Sequence, residues 1–409
     1  MKYYIIAGEA SGDLHGSNLM KGLYAQDPSA DIRFWGGDLM NGVYKAHQAG
    51  EGLVRDYRDT AVMGFWEVLL KGFSIARNVR DCKEDISAWR PDVVILIDYP
   101  GFNLKIAEFS HGAGFKVYYY IAPKVWASRE GRIRKIRAWV DRLFIIFPFE
   151  IPYFESKGVP FTYVGNPLVD AIDQSAAMAE PREAFFRRTG VPDTPYIALL
   201  AGSRNMEIGS MMPTFMQFAD VWHAENPSCH FVVAAAPSRT LKDYEKYVGG
   251  RPYVHVVFGE TYGALRHAQA AIINSGTASL EAALIGTPQM VGYQMAALTA
   301  FIARRIVKVP YVSLANLIIN RLAFKEFLLE NFTLENLVGE MRRITEDAAY
   351  REQMRSDYAE VRRLLGGTGA SNAVAKAMVS SLKTAPNKDE KAILPLSSSN
   401  LAPNKDGVT

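Results

Sequence analysis

Two short polar stretches, residues 8–13 and 98–103, contain the side chains best suited to acid–base chemistry. Each directly follows an apolar run. In open parallel sheets, ligands bind at the carboxyl ends of the strands, which is where both stretches are expected. A carboxylate there, partly withdrawn from water, could take the proton of a substrate hydroxyl. Asp98 and Glu9 are therefore the candidate general bases, and their spacing does not decide between them.

The stretch at residues 8–13 is also expected to contact a substrate through its backbone. Gly8 and Gly12 lack a Cβ and would allow close approach of a ligand. Glu9, Ser11 and Asp13 would face the same cleft and hold hydroxyl groups of a substrate, with a helix following from about Leu14 to Leu23. The alternatives are an ordinary strand–helix turn without a ligand and, for Asp98, a cap on the next helix.

A second group of residues suits the binding of a nucleoside diphosphate. Ser275, Gly276 and Thr277 open a predicted helix, where free N–H groups and the helix dipole favour a diphosphate. Glu281, about one turn further in, could accept hydrogen bonds from a ribose diol. The pair Ser203–Arg204 follows another apolar run, and the arginine could bind phosphate oxygens as charge builds on a leaving group. Alternatively, these are a helix cap, a solvated glutamate and a surface arginine.

Two further segments suggest contact with a lipid surface. The apolar segment 61–73 is too short to span a membrane, and both an acyl-chain cleft and a core-facing helix remain open for it. The basic segment 129–139 is predicted to be an amphipathic helix, with either a solvated charged face or a site for anionic lipid or phosphate. The residues assigned to this predicted membrane surface are Val62, Met63, Phe65, Trp66, Leu69, Leu70, Phe73, Arg132, Arg134, Lys135 and Arg137.

Alternation of apolar runs with helix-length segments predicts an α/β protein with parallel sheets. At 409 residues the chain exceeds one usual core. We therefore expect two Rossmann-like domains facing a central cleft. The predicted strands are Tyr3–Ala7, Ile32–Trp35, Val93–Ile97, Val117–Ile121, Leu143–Phe147, Tyr196–Leu200, His230–Ala235, Val254–Phe258, Ala270–Ile273 and Gln289–Gly292.

The predicted domains are an N-terminal acceptor- and lipid-binding domain over residues 1–168 and a nucleotide-sugar domain over residues 190–355. Helices over 356–382 are expected to pack back toward the N-terminal domain. Residues 383–409 repeat Ala-Pro-Asn-Lys-Asp with serines between, a low-complexity composition that predicts a disordered tail.

Composition limits the class of protein. The net charge is only +3, which disfavours a bulk nucleic-acid binder. The two cysteines form no disulfide or metal pattern, and no Asp-x-Asp occurs, so we expect a cytoplasmic protein without cofactor or metal. No apolar run approaches the ~20 residues of a membrane span and no leader precedes the first strand, so any membrane contact is expected to be peripheral.

Motifs spread over residues 3–382 resemble the lipid-A-disaccharide synthase family of GT-B glycosyltransferases. They are Gly-Glu-Ala-Ser-Gly-Asp, Ala-Val-Met-Gly, the strand-end Asp98 with Asn103, Gly-Ser-Arg, Ser-Gly-Thr with Leu-Glu-Ala, and Tyr-Val-Ser-Leu-Ala-Asn. The resemblance favours Asp98 as the base, places Asn103 beside the acceptor, and implies that Asn316, supported by Ser313, hydrogen-bonds the donor. Relatives commonly have an aspartate at Gly101 and a tryptophan at Ser128, so these details differ here.

The resemblance implies an inverting transfer of 2,3-diacylglucosamine from its UDP-activated form to 2,3-diacylglucosamine 1-phosphate. The products would be a β-1,6-linked disaccharide 1-phosphate and UDP, made for the outer-membrane lipid of a Gram-negative cell. The enzyme would be cytoplasmic and peripherally associated with the inner membrane, and a homodimer is left open. The alternatives are a nucleotide-sugar epimerase on the same fold and a non-catalytic nucleotide-sugar sensor.

Overall fold

The computed structural model describes residues 1–60, 67–127, 129–237, 239–294, 310–384 and 392–393, without the side chains of Thr60, 67–74 and 392–393. The chain divides into two compact units. The first comprises Met1–Ala171 with Leu365–Thr409, and the second comprises Ile172–Leu364. Each unit contains one parallel sheet with helices, so the predicted α/β class with two Rossmann-like domains is confirmed.

The first unit has an eight-stranded sheet in the order β14-β7-β6-β5-β4-β1-β2-β3, with all described pairings parallel. Its central strand β4 is fully buried, as expected for a strand covered on both faces. The strands are β1 Lys2–Ala7, β2 Asp31–Gly36, β3 Leu53–Asp56, β4 Val93–Ile97, β5 Lys116–Tyr120, β6 Arg142–Ile145, β7 Thr162–Tyr163 and β14 Ala392–Ile393.

The first helix begins at Ala10, directly after Glu9, and not at Leu14 as predicted. Ser11, Gly12 and Asp13 are therefore helical residues and not a loop. The helices up to the boundary of this unit are α1 Ala10–Gln26, α2 Asp38–His47, α3 Tyr57–Thr60, α4 Glu67–Trp89, α5 Pro100–Gly112, α6 Arg132–Trp139, α7 Glu150–Ser156 and α8 Pro167–Asp173.

The second unit has a six-stranded parallel sheet in the order β10-β9-β8-β11-β12-β13. Strands β8 and β11 are neighbours at its centre, so their carboxyl ends meet at one edge. The strands are β8 Tyr196–Leu200, β9 His230–Ala235, β10 Val254–Phe258, β11 Ala270–Asn274, β12 Gln289–Tyr293 and β13 Glu326–Leu328.

The helices of the second unit alternate with these strands and then continue to its end at Leu364. Short 3₁₀ turns lie at Ala176–Met178, Leu241–Asp243 and Leu329–Asn331. The α-helices are α9 Arg182–Thr189, α10 Asn205–Glu225, α11 Glu245–Val248, α12 Thr261–Arg266, α13 Thr277–Ile285, α14 Leu314–Ile319, α15 Leu334–Glu346 and α16 Ala348–Leu365.

The last helix, α17 Ala370–Lys383, packs against α1 in the first unit. A Cβ added at Gly22 would lie 2.8 Å from the Cβ of Ala375, so the two helices are in direct contact. Residues 356–364, expected to accompany this helix, cluster instead with the second unit. Residues 385–391 and 394–409 of the predicted tail lie outside the described residues, and Ala392–Ile393 pair in parallel with Thr162–Tyr163.

Candidate active site

The carboxylate of Asp98 stands at the carboxyl end of β4, on a backbone in the left-handed region. Its φ is 43° and that of Tyr99 is 46°. Such conformations cost about 1–3 kcal/mol in residues other than glycine and persist only where the surroundings fix them. Here the N–H of Asp98 donates to Tyr120 O at 3.1 Å, and its carbonyl accepts from Tyr119 Oη at 2.6 Å and from Asn103 Nδ2 at 2.8 Å. These hydrogen bonds fix the backbone conformation at Asp98.

Charged groups surround Asp98. Burial raises the pKa of its carboxyl group, while the positive charges of Lys124 and Arg132 act to lower that pKa and the carboxylate of Glu9 acts to raise it. A general base for a hydroxyl needs a pKa above that of an ordinary carboxyl group and must still be ionised. Burial favours the first condition at Asp98, and the nearby positive charges favour the second. Glu9 is exposed and precedes the first turn of α1.

The loop that contains Lys124 is fastened to α7. Trp126 donates its indole N–H to Glu150 Oε1 at 3.2 Å, and Tyr153 Oη donates to Val125 O at 3.2 Å. Glu150 is almost completely buried and also accepts from the N–H groups of residues 146 and 147. Burial raises the pKa of Glu150 to about 7. The sequence analysis missed Glu150, because its partners come from two other segments.

Asp13, one of the predicted acceptor residues, has a structural role instead. The carboxylate of Asp13 is buried and accepts from Gly37 N at 2.8 Å, from Leu39 N at 3.1 Å and from Met40 N at 3.1 Å, so it caps α2. Because its oxygens are engaged there, the expectation that Asp13 holds a sugar hydroxyl is corrected.

The two glycines of the first loop are explained by internal packing. A Cβ at Gly8 would lie 2.3 Å from the Tyr99 ring, and one at Gly12 would lie 3.2 Å from the Cβ of Ala7. Contacts within the protein therefore account for the absence of a Cβ at both positions, and the expected approach of a substrate stays a prediction. Ser11 is exposed in the first turn of α1.

Asn103 acts on the candidate base and not on an acceptor. It is fully buried, and its Nδ2 donates to Ile97 O at 3.1 Å and to Asp98 O at 2.8 Å. These bonds hold the turn between β4 and α5. Asn103 is therefore a positioning residue for Asp98, which corrects its assignment to the acceptor.

An apolar cleft lies beside this turn. It is lined by Ile6, Trp35, Tyr57, Ile75, Tyr99 and Phe102, among others. The free volume of this cleft is only about 10 Å³, enough for about one water molecule, so the apolar side chains largely fill it. The sequence analysis missed these side chains because they come from five separate elements.

The predicted membrane surface is only partly described. Val62, Met63, Phe65 and Trp66 lie outside the described residues. Leu69, Leu70 and Phe73 belong to α4, whose side chains there are not described. The predicted basic helix is confirmed as α6. Its buried Ile133 and Ile136 face the core, and Arg134, Lys135 and Arg137 are exposed.

Arg132, the first residue of α6, differs from the other basic residues of this helix. It is partly buried, and the Asp98 carboxylate and the Tyr119 hydroxyl both influence its pKa, which burial lowers. Arg132 thus belongs to the surroundings of the candidate base. Arg137 also has an internal contact, because it donates to the carbonyl of Lys157.

In the second unit, the predicted donor loops lie side by side at the carboxyl ends of β8 and β11. Asn274 Nδ2 is 3.4 Å from Ala201 O. Gly202 has a φ of 100°, and a Cβ there would lie 2.7 Å from Asn274 Nδ2 and 2.4 Å from Glu207 Oε2. Only glycine fits this crowded, left-handed position.

The Ser203–Arg204 loop is held by Glu207 in the first turn of α10. Glu207 Oε2 accepts from Ser203 N at 2.9 Å and from Arg204 N at 3.1 Å, and its Oε1 lies 3.1 Å from the Arg204 guanidinium. The Arg204 side chain is 67% exposed. Arg239 adds a second guanidinium, with its Nε donating to Ser203 O at 2.7 Å. We missed Arg239, although it follows the apolar run of the neighbouring strand β9.

The helix α13 begins beside this loop, as predicted. Gly276 and Thr277 are exposed at its first turn, and Ser275 N donates to Gly292 O at 3.0 Å. Glu281 is partly buried and accepts from Tyr262 Oη at 3.1 Å. Burial raises the pKa of Glu281 to about 7. A fully solvated glutamate, the alternative considered above, is therefore excluded.

Asn316 has an internal role that differs from the predicted contact with the donor. It is fully buried, and its Nδ2 donates to Phe324 O at 3.1 Å and to Glu326 Oε1 at 2.8 Å. Its Oδ1 accepts from Ala323 N at 2.8 Å. Both amide hydrogens are used to fold the segment before β13, so the expectation for Asn316 is corrected. Ser313 is buried too, and its N–H donates to Glu326 Oε1 at 2.8 Å.

Within the described residues, no group of three or more His, Cys, Asp or Glu side chains is arranged to hold a metal ion. Of the helices in that part of the chain, none is long and apolar enough to cross a bilayer.

Two Rossmann-like units with polar loops at their strand ends define the GT-B class of fold, and solved structures agree. UDP-GlcNAc 2-epimerase from Neisseria meningitidis, bound to UDP-GlcNAc, matches with a TM-score of 0.67 at 13% identity, over 93% of this chain and 100% of that one. A putative UDP-N-acetylglucosamine 2-epimerase from Listeria monocytogenes matches with a TM-score of 0.64 at 14% identity, over 96% and 99%. At such identities the likeness shows the fold alone.

Sequence comparison identifies the family. The profile described as lipid-A-disaccharide synthetase matches residues 3–378. Proteins named lipid-A-disaccharide synthase are 35% identical in Trichlorobacter lovleyi, over 92% of this chain and 96% of that protein, and 36% identical in Pseudomonas fluorescens, over 93% and 97%. The chain belongs to the lipid-A-disaccharide synthase family, as the motifs indicated. It is therefore a glycosyltransferase of lipid A disaccharide synthesis and neither an epimerase nor a sensor.

Proposed function

We propose that this glycosyltransferase transfers 2,3-diacylglucosamine from UDP-2,3-diacylglucosamine to 2,3-diacylglucosamine 1-phosphate. The observation that carries the proposal is the Asp98 carboxylate, fixed by a left-handed backbone beside two cations and an apolar cleft. A base and positive charge for a phosphate are thereby combined in the first unit. The proposed acceptor has the groups that match them, a hydroxyl and a phosphate.

In the proposed reaction, the oxygen of the acceptor 6-hydroxyl attacks the anomeric carbon of the donor. Asp98 accepts the proton of this hydroxyl as the attack proceeds. The carbon–oxygen bond to the diphosphate breaks as the new bond forms. This single displacement inverts the anomeric carbon and gives the β-1,6-linked disaccharide 1-phosphate and UDP. Lys124 and Arg132 favour the ionised form of Asp98, and their charge also suits the acceptor phosphate. Glu9 is the alternative base.

The donor is proposed to bind the second unit. The first turn of α13, with Ser275, Gly276 and Thr277, would receive the diphosphate together with Ser203 and Arg204. Glu281 would accept from the ribose diol. A guanidinium and a helix N-terminus can take up negative charge on the leaving diphosphate, so we propose that transfer needs no divalent ion.

We also propose that the protein works at the cytoplasmic surface of the inner membrane, since both substrates carry acyl chains. Arg134 and Lys135 on the exposed face of α6 would attract anionic lipid, and the segment 62–73 would contribute apolar contacts. The binding is peripheral in this proposal.

The deciding experiment is incubation of the purified protein with both substrates in detergent micelles, with and without a chelator of divalent ions. Formation of the disaccharide 1-phosphate and UDP in equal amounts is expected in both. Release of UDP without disaccharide would contradict the proposed acceptor, and activity lost only with chelator would contradict metal independence. An Asp98→Asn preparation serves as the matched control.

A further inference from the structure

A cavity of about 370 Å³ opens at the amino-terminal edge of β11 and β12, away from the strand ends that carry the donor loops. Its volume falls within the ~300–1,000 Å³ that is typical of small-molecule sites. Polar side chains dominate its lining. They are Arg266, Gln269, Thr287, Thr345, Arg351 and Arg355.

Three of these side chains are arginines that come together from two helices. Arg351 and Arg355 are four residues apart and share one face of α16, where like charges repel unless something neutralises them. Arg266 ends α12. Among the described residues, the only carboxylate within 4.0 Å of these three guanidinium groups is that of Glu352, at 3.8 Å from Arg355. The cavity therefore carries excess positive charge.

Arg351 has a structural task that the other two lack. Its Nη1 donates to Ile344 O at 2.8 Å and to Thr345 O at 2.7 Å, which caps the last turn of α15. Within the described part of the chain, the hydrogen bond of the Arg266 guanidinium is a long one, 3.5 Å to Ala177 O. Helix capping thus gives the Arg351 guanidinium a structural role. Among the described residues, Arg266 and Arg355 have no comparable capping role.

We propose that this cavity is a second anion site, which binds a phosphate or diphosphate group between Arg266, Arg351 and Arg355. Guanidinium groups bind phosphate oxygens through two parallel hydrogen bonds, and three of them around one cavity match a multiply charged anion. The site is separate from the donor loops, so the inference does not depend on the proposed reaction. The phosphate could be free in solution or part of a lipid headgroup.

Calorimetric titration with inorganic diphosphate tests the site. All proteins carry Arg204→Ala, which weakens the proposed donor site. We expect one binding site in this background, weakened at least tenfold when Arg266→Ala and Arg355→Ala are added. Arg351 is left intact because it caps α15, and thermal unfolding of each variant checks its fold. Arg363→Ala, an exposed arginine of α16 outside the cavity, is the matched control and should bind normally.

Vesicles of phosphatidylglycerol and phosphatidylcholine distinguish the two sources of phosphate. If Arg266 and Arg355 are needed for binding diphosphate but not for vesicle retention, the ligand is a soluble phosphate compound. If they are needed for both, the site also binds a lipid headgroup through its phosphate. Dependence of vesicle retention alone would contradict the calorimetric expectation and refute the phosphate site. If neither measurement depends on them, or if Arg363→Ala has the same effect, the proposed site is refuted.

Discussion

At the scale of single residues, the position of Asp98 depends on backbone strain. We expect Asp98→Asn to lower turnover by ~10²–10⁴ and to leave the affinity for UDP almost unchanged, because it removes the proton acceptor and keeps the shape. Single-turnover kinetics together with UDP titration measure the two effects. Turnover close to wild type would exclude Asp98 as the base, and Glu9→Gln would then be tested.

The second residue-scale prediction concerns pH. Glu281 has a pKa of about 7, and ribose hydroxyls donate more strongly to its ionised form than to its protonated form. UDP affinity should therefore rise between about pH 6 and about pH 8, in addition to any change from the ionisation of UDP itself. Glu281→Gln should remove this increment and weaken binding on the order of tenfold at the upper pH. Equal pH profiles in both proteins would disprove the ribose contact.

The raised pKa of Glu281 also affects the stability of the fold, which is expected to fall with rising pH, whereas UDP affinity is expected to rise. The folded state holds the Glu281 proton more tightly than the unfolded state does. The free energy of unfolding therefore decreases as pH rises from about 4.5 to about 7. Urea unfolding of the ligand-free protein should show a shallower decline over this window in Glu281→Gln. Glu150 contributes to the decline in the same direction in both proteins, since its pKa is also raised to about 7.

Residue types indicated which side chains are suited to acid–base chemistry or hydrogen bonding, but they did not indicate which groups these side chains contact in the fold. Asp98 and Asp13 both follow apolar strands at the sequence level, yet Asp98 lies on a left-handed turn near the charges of Lys124 and Arg132, whereas Asp13 caps α2. The difference lies in the N–H groups of residues 37–40, which meet Asp13 only after the chain folds. For Asn316 the partners are residues 323–326. No local pattern could show these contacts.

At the scale of elements, Asp13 gives a prediction about α2. Asp13→Ala should destabilise the protein by about 2–4 kcal/mol, because several N–H groups at the start of α2 lose their acceptor, two of them buried. Asp38→Ala, on the exposed first turn of the same helix, should cost at most ~1 kcal/mol. Urea unfolding compares the two. Similar effects would contradict the capping role.

The elements were predictable to different degrees. All ten predicted strands occur, with ends within two residues, because continuous apolar runs mark strands buried on both faces. The strands β3, β7, β13 and β14 were missed, since each has only two to four residues and no such run. The helix α1 starts earlier than predicted because Gly12 packs on Ala7 and Asp13 is used by α2.

The helix α6 is predicted to have two separable roles. Replacing both Arg134 and Lys135 by alanine should weaken binding to anionic vesicles on the order of tenfold or more at low salt, with little effect at high salt. Arg132→Ala should instead change turnover and its pH dependence. Vesicle sedimentation and kinetics measure these effects, with exposed Lys242→Ala as control. If the Arg132 variant loses as much vesicle binding as the double variant, α6 does not have two separable roles.

At the scale of the whole molecule, chain order and structural unit do not coincide. The chain leaves the first unit near Ala171 and returns at Leu365. On its return, the N–H groups of Gly369 and Ser371 donate to the buried carboxylate of Asp170. The sequence predicted that helices over residues 356–382 return to the N-terminal domain, and α17 does so. The return begins at Leu365 and not at residue 356, because it depends on contacts about two hundred residues apart in sequence.

This return predicts the effect of two truncations. A chain ending at Thr384 keeps α17 and should unfold at nearly the same urea concentration as the full chain, since it loses mainly the low-complexity segment. A chain ending at Gly366 uncovers the face of α1 around Gly22 and loses the six buried side chains of α17, which are Ala370, Ser371, Val374, Ala375, Met378 and Val379. Full burial of each larger side chain stabilises by about 1.5–3 kcal/mol, and a whole domain is stable by only about 5–15 kcal/mol. The shorter chain should therefore lose the cooperative unfolding of its first unit. Hydrogen exchange of β1 and β4 would detect that loss, and full protection of these strands in the shorter chain would show that α17 is dispensable.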